Sequence, residues 1–247
     1  MKVLLFPTCL VDHIKPEIGF ATVKVLKHFG VDVHVPDKPS CCGQIAFNVG
    51  YWEEARKMAL AWLDIYDVPG FDYIVAPSGS CVHMIRENYE KLFKNEPEIL
   101  RKVEKIKARL FEVVEFLTKV LQVKEIPSKF TGKVTYHASC HYLRGLGVKD
   151  EPKELLRSIK GAVFTPMKLE QTCCGFGGLF SLKFPELSYR MAERKVESIR
   201  EISPEYLTSS DLSCLMNLGG VLSRKGIHVK PVHIVEILAY GLDHGED

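Results

Sequence analysis

The chain has 247 residues, of which 46% are hydrophobic and 26% charged, and its 33 basic and 31 acidic residues give a formal charge of +2. That length can bury a sizeable core as one domain or two. The near-balance of charge leaves no electrostatic footprint for nucleic acid, and no run of about 20 apolar residues is present to span a membrane.

At the amino end, Met1-Lys2 before Val3-Leu4-Leu5-Phe6 has the outline of a secretory leader, and Cys9 suggests a lipoprotein. The apolar run stops at Pro7, however, and Phe6 and Pro7 stand where a processing site needs small residues. Val3–Phe6 is therefore expected to be a buried first strand of a cytoplasmic protein. Ile18, Thr22, Val25, Leu26 and Phe29 form a stripe at helical spacing. Strands are expected at Val31–Val35 and Tyr73–Ala76, with helices over Trp52–Asp64 and Val82–Phe93. The charged stretch Lys94–Arg109 reads as the solvated face of a connecting helix. After the turn-prone Ile126-Pro127-Ser128, the order repeats. Strands are expected at Val134–His137, Ala162–Phe164, Tyr206–Thr208 and Ile227–Val229, the last ending before Pro231. Helices are expected near Pro152–Ile159, Pro185–Ile202, Leu215–Leu222 and Ile234–Leu242. This alternation predicts an α/β fold of two similar halves, 1–126 and 127–247, in pseudo-twofold relation. Each half is a small, mostly parallel sheet flanked by helices.

The eight cysteines carry the chemistry. Thiols stay reduced in the cytoplasm, so metal or redox chemistry is a better reading than disulfides. They divide into two quartets, Cys9, Cys41, Cys42, Cys81 and Cys140, Cys173, Cys174, Cys214. The spacers are 31 and 38 residues in the first and 32 and 39 in the second. No cysteine is left over, and an internal duplication accounts for the register. The flanks agree: Ser40-Cys41-Cys42-Gly43 parallels Thr172-Cys173-Cys174-Gly175, and the run Phe71 to Cys81 parallels Pro204 to Cys214. Cys9 and Cys140 follow the first strand of each half, and Cys81 and Cys214 sit between a strand and a helix. These are the carboxyl ends of parallel strands, where such sheets bind ligands. Adjacent cysteines in a strand would face opposite ways, so each pair must lie on a turn, and Gly43 and Gly175 supply its freedom.

Four thiolates suit zinc or an iron–sulfur cluster. The tight Cys-x-x-Cys knuckles usual for structural zinc are absent. The repeated pattern of Cys, long spacer, Cys-Cys-Gly, long spacer, Cys resembles the cysteine-rich CCG domain. That domain is found in heterodisulfide reductase, in the iron–sulfur subunit of glycolate oxidase and in the lactate utilization protein A family. A chain of this length with two copies, with His137 to Gly145 (HASCHYLRG) and with Cys173 to Gly178 (CCGFGG), is most similar to the last. The resemblance implies an electron-transfer subunit of an oxidoreductase complex that converts L-lactate to pyruvate. It would bind [4Fe–4S] clusters through all eight cysteines, beside a ferredoxin-like iron–sulfur subunit and a third small subunit.

In the heterodisulfide reductase branch each copy has a fifth cysteine. Here Ser78 and Asp211 stand at that position, which argues against a disulfide-cleaving role and suits helix caps instead. A heterodisulfide or thiol reductase subunit, and a structural subunit with zinc in one half or both, are the alternative readings. His137 and His141 flank Cys140 and are candidates to hydrogen-bond a cluster sulfur, Gly43 and Gly175 let backbone N–H groups approach it, and Asp211 is a candidate to ligate iron by oxygen or to cap its helix. If only one half holds a cluster, these histidines favour the second. Arg144 reads as a surface residue, and Gly175-Phe176-Gly177-Gly178 lacks the context of a phosphate loop.

Overall fold

The computed structural model describes residues 1–242. It contains two four-stranded sheets, each parallel throughout. The first has the order β2-β1-β3-β4, built from β1 (Lys2–Leu5), β2 (Asp32–His34), β3 (Tyr73–Ala76) and β4 (Leu110–Glu112). The second has the order β6-β5-β7-β8, from β5 (Gly132–Tyr136), β6 (Ala162–Phe164), β7 (Tyr206–Ser209) and β8 (Lys230–His233). The central strands are apolar because helices cover both faces of a parallel sheet. Val3, Leu4 and Leu5 of β1 are buried, as are Ile74, Val75 and Ala76 of β3. In register, Val3 lies beside Val33 on one side and Tyr73 on the other.

The helical stripe from Ile18 is borne out by the helix Glu17–His28, which buries Ile18, Thr22, Val25 and Leu26. The helix Pro185–Ile202 has the expected bounds. The charged connector contains the helix Pro97–Lys107, which buries only Val103 and Ile106 and turns its charges to solvent.

Three elements differ from expectation. β4 was not foreseen, being a three-residue strand directly after a charged helix. The last strand begins at Lys230 and runs through Pro231, rather than occupying Ile227–Val229. It is an edge strand in which Lys230 donates to Glu205. The alternation turns the nitrogen of residue 231 outward, so proline costs no ladder bond. Finally, the helix expected over Val82–Phe93 is broken into Gly79–His83, a π-helical turn Met84–Asn88, and Tyr89–Leu92. A second such turn, His141–Gly145, follows Cys140 directly. Turns of this type often mark functional sites.

One hydrophobic cluster runs through both halves, from Val3, Val25 and Val75 to Tyr136, Leu155, Val235 and Leu238. It exists because the halves exchange elements. The final helix Ile234–Ala239 packs on Glu17–His28 of the first half, where Lys15 Nζ donates to Glu236 Oε2 at 2.7 Å. Conversely, the short helix Val113–Glu115 of the first half packs on Glu151–Ser158 of the second.

Glu112 closes this seam. Its fully buried carboxylate caps Val113–Glu115 by accepting from Val114 N and Glu115 N, and the hydroxyl of Tyr142, from the other half, donates to it as well. Burial pushes the Glu112 carboxyl up to about 8. A group raised in the folded state contributes stability that is complete below its ordinary value near 4.5 and disappears as pH climbs through about 8. Glu112→Gln, which mimics the protonated form, should flatten that decline, which is at most about 1.4 kcal/mol per pH unit for one proton. Chemical denaturation of both proteins between pH 5 and 9 measures it; parallel slopes would contradict the assignment.

Candidate metal centres

In each sheet the chain leaves the first strand toward one edge and the third toward the other, which opens a crevice at their carboxyl ends. Both quartets gather in these crevices. Cys9 begins the helix Cys9–Ile14 just beyond β1, and Cys81 lies in the helix Gly79–His83 just beyond β3. Cys41 and Cys42 enter from the loop before the helix Gln44–Asn48. The thiols shift one another's acidity in a chain, Cys9 with Cys41, Cys41 with Cys42, and Cys42 with Cys81. All four line one cavity, with Gln44, Ser78, Ser80 and, from the second half, Phe176 and Leu212. Thr8, before the first cysteine, is held at φ 69°, a conformation rare for a β-branched residue.

The second quartet repeats the arrangement, with Cys140 and Cys173, and Cys173 and Cys174, shifting one another's acidity. Cys174 Sγ lies 3.2 Å from Cys214 Sγ. None of the eight is in a disulfide. In both quartets the first member of the vicinal pair is the acidic one. Hydrogen bonds from Cys42 and then Cys9 push Cys41 down to about 3, and those from Cys140 and then Cys174 push Cys173 far below the usual thiol range. Their partners Cys9, Cys42, Cys140 and Cys174 rise correspondingly, through the same hydrogen bonds and burial. Each quartet thus holds a ready thiolate among close sulfurs, the donor set of a metal ion or an iron–sulfur group.

The vicinal pairs lie on turns, as their chemistry requires. Gly43 and Gly175 adopt φ of 79° and 87°. A Cβ on Gly43 would come within 3.1 Å of Ala55 O, and one on Gly175 within 2.7 Å of Ser188 O. The turn is therefore clamped against the following helix, Trp52–Tyr66 or Pro185–Ile202. Gly175 N donates to Cys173 Sγ at 3.4 Å and Phe176 N to Cys174 Sγ at 3.5 Å. Side chains hold the pair's carbonyls too: Tyr89 donates to Cys42 O and Asn217 to Cys174 O.

Ser78 caps its own helix by accepting from Cys81 N at 3.4 Å, as expected. Asp211 does not cap its own helix. It stands at the N-cap of Leu212–Arg224 without a side-chain bond there. Its Oδ1 instead accepts from Ser78 Oγ at 2.8 Å and from Ser80 N at 3.0 Å, capping the equivalent helix of the other half. The two residues at matched positions of the repeat thus meet each other across the pseudo-twofold axis.

The histidines part company. His137 is fully buried, and one of its ring nitrogens lies in one group with Cys174 Sγ and Cys214 Sγ, all within 4.8 Å of one another. His141 turns away toward the first half, stacking on His83 at 4.8 Å and meeting Gln44 Nε2 at 3.4 Å. Arg144 is exposed and donates to Gln171 O. Lys195 was missed by sequence reasoning. It is fully buried and donates to His137 Nδ1 at 2.8 Å, Leu169 O at 2.7 Å and Glu170 O at 2.9 Å. Burial pulls it down to about 8, so it remains an ammonium at neutral pH. A signal was present: Lys195 lies 133 positions after buried Trp62, the offset that also relates Cys214 to Cys81.

Comparison with known proteins agrees with this geometry. Residues 3–86 and 134–219 each match the family described as the cysteine-rich domain, CCG. The lactate utilization protein A of Exiguobacterium sp. is 43% identical over 241 residues, covering 98% of each chain. That of Oceanobacillus iheyensis is 44% identical over 238 residues and 96% of each. A solved structure of a hypothetical protein from Helicobacter pylori covers all of this chain and 49% of its own, with a TM-score of 0.66 at 12% identity, a likeness of fold.

The clamp on the vicinal turn is testable with two glycines. Gly175→Ala combines a left-handed backbone with a clash and should cost upward of about 2 kcal/mol. Gly226→Ala, at φ 64° with nothing within 4 Å, should cost only about 1 kcal/mol. Equal melting curves for the two variants would remove the clamp.

Proposed function

The chain belongs to the cysteine-rich CCG family, together with the lactate utilization proteins A, and from that premise we propose that it is an iron–sulfur electron-transfer subunit of a cytoplasmic complex oxidising L-lactate to pyruvate. The observation that carries this reading is the convergence of two complete thiol quartets, free of disulfides, at the ligand-binding edges of two matched sheets.

The residues fit [4Fe–4S] clusters. Each quartet offers four sulfurs, one of them already a thiolate, and backbone N–H groups directed at sulfur in the second half. A cluster bound there supplies one-electron storage. Converting lactate to pyruvate releases two electrons and two protons, so two centres in one chain match the electron count. Neither a phosphate loop nor a dinucleotide fingerprint occurs in the sequence, so electrons enter and leave through protein partners. The partners proposed are a ferredoxin-like iron–sulfur protein and a third small subunit, with 1–126 and 127–247 as the two cluster-bearing halves. The alternative of disulfide reduction at a fifth thiolate is disfavoured, because Ser78 and Asp211 supply no sulfur and are occupied in bonding one another.

Protein purified without oxygen should be brown and hold about four to eight irons per chain, with matching sulfide. Cys42→Ala and Cys174→Ala should each remove about half of that iron. Colourless protein containing only zinc after anaerobic reconstitution would end the proposal.

A further inference from the structure

The two quartets are alike, but their surroundings are not. The equivalence of positions is set by packing: Gly43 meets Ala55 and Met58, and Gly175, 132 positions later, meets Ser188 and Met191, which lie 133 positions after Ala55 and Met58. On the same helices, Trp62 corresponds to Lys195. Ahead of the first cysteine of each quartet, Phe6 corresponds to His137. In the first half, Phe6 and Trp62 pack edge to face at 5.5 Å, with Tyr66 against both. In the second, the same two positions hold a buried ammonium bonded to an imidazole.

The hydrogen bonds determine the imidazole's tautomer. An ammonium has three donors and no acceptor. Lys195 uses all three, on His137 Nδ1, Leu169 O and Glu170 O. Nδ1 must therefore accept, and the ring proton of neutral His137 sits on Nε2. That nitrogen is buried and has no hydrogen-bond partner in the protein, and the His137 ring has a nitrogen within 4.8 Å of the sulfurs of Cys174 and Cys214. A protonated Nε2 can donate a hydrogen bond but cannot ligate a metal. Adding an electron to a cluster adds one negative charge, which an N–H donor and a nearby ammonium both favour. The Phe6 and Trp62 rings carry no such charge.

We propose that Lys195, acting through His137, gives the second centre the higher reduction potential, so that an electron entering the pair comes to rest in the second half. This rests on the reading above that both quartets hold clusters. One electron from the iron–sulfur partner reduces one centre by one charge, and the second centre takes it first. Lys195 is a positioning residue: it orients His137 and supplies charge without touching the cluster ligands.

The test is a mediated redox titration of the anaerobically reconstituted full chain, followed by electron paramagnetic resonance. Cys42→Ala and Cys174→Ala assign the midpoints, and the centre surviving in Cys42→Ala should have the higher one. Lys195→Met and His137→Phe should lower that midpoint and leave the other in place, whereas His137→Gln, which keeps an N–H donor beside the quartet, should retain most of the difference. A reversed or equal order of midpoints overturns the proposal, as does an unmoved upper midpoint in Lys195→Met at full iron content. Should Lys195→Met fail to fold, equal midpoints in His137→Gln and His137→Phe overturn it by themselves. Absence of iron and sulfide from the parent chain would instead remove the cluster reading itself, and this proposal with it.

Discussion

Two neighbouring residues can send their side chains to one place only if the backbone turns between or just after them, and this constraint governs each half of the protein. Successive residues in an extended chain face opposite ways. The Cys-Cys pairs escape that rule through a left-handed glycine pressed against the carbonyl of a following helix residue. The helix is thus more than a cover for the sheet: its position sets where the paired sulfurs point. Cys9 and Cys140, and Cys81 and Cys214, arrive from the adjacent central strands of their sheets. Strand order, helix placement and turn conformation must all agree before four sulfurs meet.

The seam between the halves is polar at its centre and apolar around it. Ser78 and Asp211 meet on the pseudo-twofold axis, Tyr142 reaches Glu112, and His83 lies on His141. Each of these contacts joins residues close in sequence to a cysteine with residues of the opposite half. A shift of one half is therefore felt at the cysteine-bearing turns of the other. Asp211 spends its carboxylate on the neighbouring helix rather than its own, so the start of the Gly79–His83 helix depends on both halves being present.

Much of this was legible in the sequence, because duplication writes the site twice. Matched spacers marked the quartets, and Gly43 and Gly175 marked the turns. Four things were hidden, each for a physical reason. Leu110–Glu112 is too short to show a period, and it is a strand only because β3 lies beside it. Pro231 reads as a breaker until the strand is known to be at an edge. The partner of Asp211 lies 133 positions away, and no local pattern reports a cap donated from another half. Lys195 follows Glu193 and Arg194, so it reads as one more solvated charge; burial was decided by His137 and two carbonyls from elsewhere in the fold.

The exchange of terminal elements has an evolutionary consequence. Since Ile234–Ala239 rests on Glu17–His28 while Val113–Glu115 rests on Glu151–Ser158, each half completes the other's core. An ancestral single copy would have had to pair with itself to shelter the same surfaces, as a symmetric dimer. Fusion of two copies kept that mutual shelter but released the copies from identity. A change such as phenylalanine against histidine, or tryptophan against lysine, then affects one side alone, which no symmetric pair of identical chains permits.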